Sequence, residues 1–333
     1  MKEKILNDES ALILYHKEDN DGVFSGAIFR NYFIYDLQYE REKIIYQGLD
    51  YNDIKKIDKE YLNNIYELFE YLVITDISLP VDLMNYAYKL FGDKFIWCDH
   101  HAPIIKEAEK YGASEKWYGV RQTDRSAILC AYKYLYDPFD ELYNDKLIPE
   151  LLRILSAWDS FTYEQNGFEL DYVRGFNKAV NQEVKLDIIK ASEILEYAKY
   201  RMDKFISECE IIGKSIVDYE NYINKALVNS SADLEWTIGE ENRKAAMLVM
   251  QGSSSSLMFN SLKGTDVKSG IVLKYSPKNN NWVISLYNID DHDNSFHCGE
   301  YCKENYKGGG HIGAAGCQIS FSKFLEIMKN KHI

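Results

Sequence analysis

The first half of the chain alternates short apolar runs with longer mixed segments. ALILYH (11–16), KIIYQG (43–48), YLVITD (71–76) and KFIWCD (94–99) read as strands. Between them, GVFSGAIFRNYF opens on a glycine and reads as a helix, as does VDLMNYAYKLF after Pro80. TDRSAILCAYKYLY (123–136) and LIPELLRILSAWDSF (147–161) are helical in pattern. Strands alternating with helices predict a parallel sheet built from right-handed crossovers, in which ligands gather at the carboxyl ends of the strands. From about 185 to 226 the pattern is one long helical stretch, whose length and position suit an interdomain connector. Beyond it AAMLVM, GIVLKY, NWVISLYN and GCQISF are strand-like, and the polar SPKNNN (276–281) joins two of them as a hairpin would. The expected fold is α/β: an N-terminal parallel-sheet domain (1–184), a helical connector (185–227) and a smaller C-terminal α/β domain (228–333).

Length agrees with two domains, since 333 residues are many for a single core. A hydrophobic fraction of 46% and a charged fraction of 27% are ordinary for a globular protein. The formal net charge of -13 removes any general attraction to the polyanionic backbone of long nucleic acid. It does not exclude phosphate substrates, because clustered carboxylates hold cations that invert the local field. Six scattered cysteines are too sparse for a disulfide scaffold, MKEKILNDES lacks a secretory apolar core, and no run approaches the ~20 apolar residues of a membrane span. The expectation is a soluble cytoplasmic protein without a membrane partner.

The candidate chemistry lies at the strand ends. HKEDNDG follows the first run, placing His16, Asp19 and Asp21 together; Asp76 ends the third; Asp99, His100 and His101 end the fourth. Asp159 sits in the apolar SAWDSF. Singly, each has a plain structural account: a turn former before Gly22, a helix cap at Asp76, a buried acid at Asp159 with Arg153 as partner. Together, several carboxylates on one sheet edge would oppose each other's ionisation unless a cation neutralised them. His and Asp without Cys suit Mn²⁺ or Mg²⁺ better than structural zinc, and imidazole favours Mn²⁺.

A second cluster is YKGGGHIGAAG (306–316). Consecutive glycines carry an entropic cost, and bare backbone lets N–H groups approach an anion, with His311 as a further donor. A zinc site from His297, Cys298, Cys302, His311 and Cys317 has poor spacing and is set aside. His292 falls in what reads as a solvated loop.

With these motifs in order along nearly the whole chain, the sequence resembles the DHH phosphoesterase superfamily, in the branch with a C-terminal DHHA1 domain. HKEDNDG, Asp76, DHH at 99–101, Asp159 and GGGHIGAAG carry the likeness, with RSAILCAYKYLY, SLYN and CGEYCKENYKGGGH. Their spacing is similar to that of short-oligoribonucleases and cyclic-nucleotide phosphodiesterases. The resemblance implies two divalent ions, Mn²⁺ or alternatively Mg²⁺. One would be held by His16, Asp19 and Asp76, the other by Asp21, Asp76, His100 and Asp159. His101 would meet substrate phosphate and Asp99 would support an imidazole, that of His100. Gly308, Gly309, Gly310 and His311 would contact substrate from the second domain. Where many relatives carry Arg in the SLYN segment this chain has Tyr287; either Arg125, Lys303 or Lys307 would supply the charge, or the substrate would be gripped differently.

The implied activity is hydrolysis of short oligonucleotides or linear and cyclic dinucleotides to 5′-mononucleotides. A phosphatase acting on 3′-phosphoadenosine 5′-phosphate is the second reading. An inactive nucleotide-binding homologue or a structural partner in a replication complex are readings of another class. The complete set of ligand types favours an active enzyme. The expected partner is a short oligonucleotide or nucleotide, not long nucleic acid, and a homodimer is left open.

Overall fold

The computed structural model describes residues 9–136, 148–252, 254–290 and 295–333. His292 and Leu147 lie outside the described residues. The chain divides into two compact units, the first ending at Val217 and the second spanning Asp218–Ile333.

In the first unit the expected strands form: β1 (Ala11–His16), β2 (Ile44–Leu49), β3 (Tyr71–Thr75) and β4 (Phe95–Cys98). They pair in parallel in the order β2-β1-β3-β4. The apolar runs are continuous because both faces are covered. Ala11, Ile13 and Tyr15 of β1, with Val73, Ile96 and Cys98, face one core. Leu12 and Leu14, with Leu72, Ile74, Phe95 and Trp97, face the other.

The first core is closed by α1 (Asn20–Asn31), α7 (Ala127–Tyr136), α8 (Glu150–Asp159) and α9 (Leu170–Val184). Around the second lie the short α2 (Tyr51–Ile54), then α3 (Lys59–Leu68), α4 (Val81–Phe91), α5 (Ala102–Ala108) and α6 (Ala113–Lys116). The long helix α10 runs Ile188–Ser231, with a non-helical Arg201 at φ -146° and ψ 35°. Its early residues Ile188, Ala191, Phe205, Ile206 and Cys209 are buried in the first core. The stretch expected as a connector is thus shared between the two units.

The second unit has a six-stranded sheet in the order β5-β6-β7-β8-β10-β9. Its strands are β5 (Asp233–Ile238), β6 (Arg243–Val249), β7 (Ser269–Ser276), β8 (Asn281–Asn288), β9 (Gly309–Gly310) and β10 (Ala314–Ile319). Ser276 pairs with Asn281, so SPKNNN does form the hairpin. Only β6 and β7 pair in parallel among the described strands of this sheet. One face packs on α11 (Cys298–Tyr306) and α12 (Phe321–Asn330), and the other on Met258, Phe259 and Leu262. No described helix is long and apolar enough to cross a membrane.

Candidate metal centre

Strand order decides where the polar residues meet. β1 has β2 on one side and β3 on the other, so the crossovers leave in opposite directions and a crevice opens outside the carboxyl ends. His16 closes β1, Asp76 follows β3, and Asp99 to His101 follow β4. The first turn of α1 brings Asp19 and Asp21 to the same rim, and the last residue of α8 is Asp159.

Asp19 caps α1: its Oδ1 accepts the N–H of Gly22 at 2.9 Å, and its Oδ2 lies 3.0 Å from His16 Nδ1. Glycine is required at position 22, because a Cβ there would come within 2.1 Å of the His16 carbonyl oxygen. Asp21 reaches across the sequence to α7, its two oxygens accepting the N–H groups of Ala127 at 2.8 Å and Ile128 at 2.9 Å. A carboxylate is well placed there, facing a helix N-terminus.

Asp76 holds the middle. It is 2% exposed, and its φ of 55° is in the left-handed region, which Asp enters more readily than most residues. Its oxygens face two different imidazoles, Oδ2 at 3.5 Å from His16 Nδ1 and Oδ1 at 3.4 Å from His100 Nε2. His100 Nε2 also lies 3.6 Å from Asp21 Oδ2 and 3.4 Å from Asp159 Oδ2. These separations are too long for good hydrogen bonds, so one imidazole faces three acids without bonding well to any.

The electrostatics follow. Burial, and next the charge of Asp21, push Asp76 well above the ordinary carboxylate range, against the opposing hydrogen bond of His16. Burial also raises Asp21, against the pull of His100. Asp159 is pushed up to about 9 by burial and by the charges of Asp21 and Asp76. Hydrogen bonds to Asp19 and Asp76 raise His16 to about 10. For Asp19 burial pulls upward, but His16 and the Gly22 N–H hold it below its usual value.

Three sets of side chains keep their donor atoms within 4.8 Å of one another: His16, Asp19 and Asp76; Asp21, His100 and Asp159; Asp76, His100 and His101. Two buried atoms in the first two sets, His16 Nε2 and Asp159 Oδ2, have no hydrogen-bond partner. That oxygen is not satisfied by Arg153, whose guanidinium lies over the Phe168 ring. Buried acids at odds with one another, with unsatisfied donor atoms, fit a divalent cation. Imidazole and carboxylate without thiolate is a donor set for Mn²⁺ or Mg²⁺.

Asp99 is a different kind of acid. It is fully buried and richly bonded: Oδ1 accepts from the N–H of His100 at 2.7 Å, the N–H of His101 at 3.1 Å and His101 Nδ1 at 2.7 Å. Its Oδ2 accepts from Ser78 Oγ and, at 3.2 Å, from Trp97 Nε1. Burial alone would raise it, but these donors, His101 first, hold it below the usual range. The imidazole it supports is therefore that of His101, which corrects the expectation that it would be that of His100; His100 meets it only through its backbone N–H. With Nδ1 engaged, His101 has Nε2 left for another partner, and the Asp99 contact raises its pKa.

The remaining candidates belong to none of these sets. Arg125 sits two residues before α7, half-buried. Gly308 and Gly310 are explained largely by packing: a Cβ at Gly308 would meet the Gly316 carbonyl oxygen at 2.4 Å. At Gly310, with φ 151°, a Cβ would meet the Ala314 oxygen at 2.5 Å. Gly309 has nothing within 4 Å of a built Cβ and is exposed, as is His311. The N–H groups at the start of α11 are already bonded, Gly299 to the His311 carbonyl at 2.9 Å and Glu300 to His297 Nδ1 at 3.1 Å. Tyr287 turns inward to the Phe259 ring, and its hydroxyl meets Ser254 at 2.8 Å. No candidate metal group among the described residues contains cysteine.

Two residues of this rim escaped the sequence reading. Ser78 is a donor to Asp99, and Tyr51 follows β2 with its ring centroid 5.7 Å from that of His16. The available signal was positional: whatever follows KIIYQGLD shares the rim with whatever follows ALILYH.

No family model and no curated protein matches the sequence. Solved structures do match in fold. The pGpG-specific phosphodiesterase PggH from Vibrio cholerae superposes with a TM-score of 0.53 at 13% identity, covering 96% of this chain and 97% of that one. The DHH domain of a member of a ribosomal-protein family gives a TM-score of 0.57 at 14% identity, covering 97% and 85%. In fold, with the motif residues gathered on one rim of the parallel sheet, the chain is similar to this DHH domain and to the pGpG-specific phosphodiesterase.

Proposed function

We propose that the chain is a phosphoesterase that uses two divalent cations, Mn²⁺ or Mg²⁺, to hydrolyse short oligonucleotides or linear and cyclic dinucleotides to 5′-mononucleotides. The observation that carries this reading is the set of buried, mutually repelling acids around Asp76, each of whose oxygens faces a separate imidazole. His16, Asp19 and Asp76 would hold one ion; Asp21, Asp76, His100 and Asp159 would hold the other. When bound, such ions supply Lewis-acid charge for phosphoryl oxygens and bring a water's pKa towards neutrality.

The chain's own residues do the rest. Asp21, bonded to the start of α7, and Asp19, capping α1, fix their carboxylates before any ion arrives, so little reorganisation is needed. Asp99 stays ionised and holds one proton on His101 Nδ1; in the imidazolium, which that contact favours, Nε2 carries the second proton, the one available to a phosphoryl or leaving oxygen. Gly309 and His311 are proposed as substrate contacts from the second unit. The net charge of -13 argues against a long single strand, which binds along basic tracks.

The test is a substrate panel with purified protein and Mn²⁺: dinucleotides, longer oligomers, cyclic dinucleotides and 3′-phosphoadenosine 5′-phosphate. One protein of this fold is specific for pGpG, so that dinucleotide heads the panel. Turnover falling with oligomer length supports the reading. Release of phosphate from the bisphosphate alone replaces it with a phosphomonoesterase.

A further inference from the structure

Tyr51 is accounted for by neither the acids nor the core. It is 56% exposed at the end of β2, on the rim that carries the metal centre. Its ring lies beside the His16 imidazole, centroids 5.7 Å apart and planes at 53°.

Its mount is rigid. Asp50 caps α2, accepting the N–H groups of Asn52 at 2.7 Å and Asp53 at 2.9 Å, while Asp53 Oδ2 accepts the Asp50 N–H at 3.3 Å. Lys17, the neighbour of His16, ties this turn to β1: its Nζ lies 3.0 Å from Asp50 Oδ2 and 2.5 Å from Asp53 Oδ2. Its N–H bonds the Leu49 carbonyl at 3.1 Å. An exposed aromatic ring whose backbone turn is tied down beside the candidate centre loses less freedom when something stacks on it.

We propose that Tyr51 is a stacking platform for a nucleobase next to the scissile phosphate, which makes the site select nucleotide phosphodiesters over phosphate esters that lack a base. The proposal rests on the phosphoesterase reading and adds a specificity residue to it. Base-on-aromatic stacking of this kind is worth about 1–3 kcal/mol per base and tolerates any base, so it selects for the presence of a base more than for its identity.

The experiment compares the intact chain with Tyr51→Ala, Tyr51→Leu and Tyr51→Phe on a linear dinucleotide and on the same dinucleotide with one base removed. The expected result is a KM for the full dinucleotide raised roughly tenfold in the Ala and Leu variants and near normal in the Phe variant, a size that stacking supplies. The KM for the base-free analogue should barely move. A second readout avoids turnover: a 2-aminopurine dinucleotide with a phosphorothioate linkage should be quenched on binding the intact and Phe proteins, and much less by Ala or Leu. Equal KM changes for both substrates, or an unchanged KM and undiminished quenching in Ala and Leu, overturn the proposal. Failure of the intact protein to bind or cleave either substrate overturns the phosphoesterase reading itself.

Discussion

The acid cluster of the first unit and the glycine triplet of the second are both motifs that a sequence reader would assign to ligand binding, yet the structure treats them differently. At the acids the fold leaves its own groups unsatisfied: His16 Nε2 and Asp159 Oδ2 lack hydrogen-bond partners, and Asp76 and Asp21 resist ionisation. At the glycines most of the oddity is resolved internally. Gly308 and Gly310 are small because β10 passes too close for any side chain, and only Gly309 remains open. A ligand is implied where the chain alone does not complete the chemistry. Bare backbone implies one only where packing does not already demand it.

The sharpest way to break this contrast is Asp76→Ala. If Asp76 serves both ion sets, kcat with Mn²⁺ falls by about 10³-fold or more, since ion-mediated charge stabilisation is worth several kcal/mol. Turnover near that of the unaltered chain in a steady-state assay would end the two-ion reading.

Next in size is the response to metal. The folded, metal-free chain keeps a proton on Asp159 that the unfolded chain releases near pH ~4. That contribution is complete below pH ~4 and is lost as pH rises towards about 9. A cation takes the proton's place, so Mn²⁺ should raise the melting temperature more at about pH 8.5 than at about pH 6. At one Mn²⁺ concentration used at both pH values, about a hundred times the Kd at the higher pH, the rise there should be roughly 4–6 °C. Differential scanning calorimetry at both pH values decides; a rise that is equal, or larger at the lower pH, contradicts the cation account.

The glycine side of the contrast is tested by a pair. Gly310→Ala forces a Cβ against Ala314 and Ala315 at φ 151° and should cost about 1–3 kcal/mol in urea unfolding. Gly309→Ala should stay within about 0.5 kcal/mol, while raising KM if Gly309 contacts substrate. Equal stability losses would merge two positions that the structure separates.

Smallest is Ser78→Ala, which removes one of the donors that hold Asp99. A single hydrogen bond is worth about 1 kcal/mol, so kcat should drop about fivefold with KM unchanged, and Ser78→Thr should recover most of it. A drop confined to KM would assign Ser78 to binding instead.

What could be read in advance has a physical pattern. The four strands of the first sheet were legible because they are buried on both faces and read as unbroken apolar runs. The meeting of polar residues placed directly after such runs was legible with them, as at His16, Asp76 and His100. Contacts between distant segments were not. Nothing in HKEDNDG shows that Asp21 would bond the N–H groups of Ala127 and Ile128, which lie 106 and 107 positions away. Nor does DHH reveal which of two adjacent imidazoles Asp99 holds, since that depends on a rotamer set by Ser78 and Trp97. Tyr51 was hidden because an exposed tyrosine in a chain with 27 of them carries no pattern of its own.

The left-handed backbone at Asp76 has a practical consequence. A residue held at φ 55° costs on the order of 1–3 kcal/mol, and its buried carboxyl is a further burden on the metal-free chain. Glycine at that position would lift both at once. A library of this chain sorted only for soluble expression or heat resistance would therefore drift away from Asp76 while keeping the shape intact. Any campaign to harden the scaffold has to carry an activity gate from its first round.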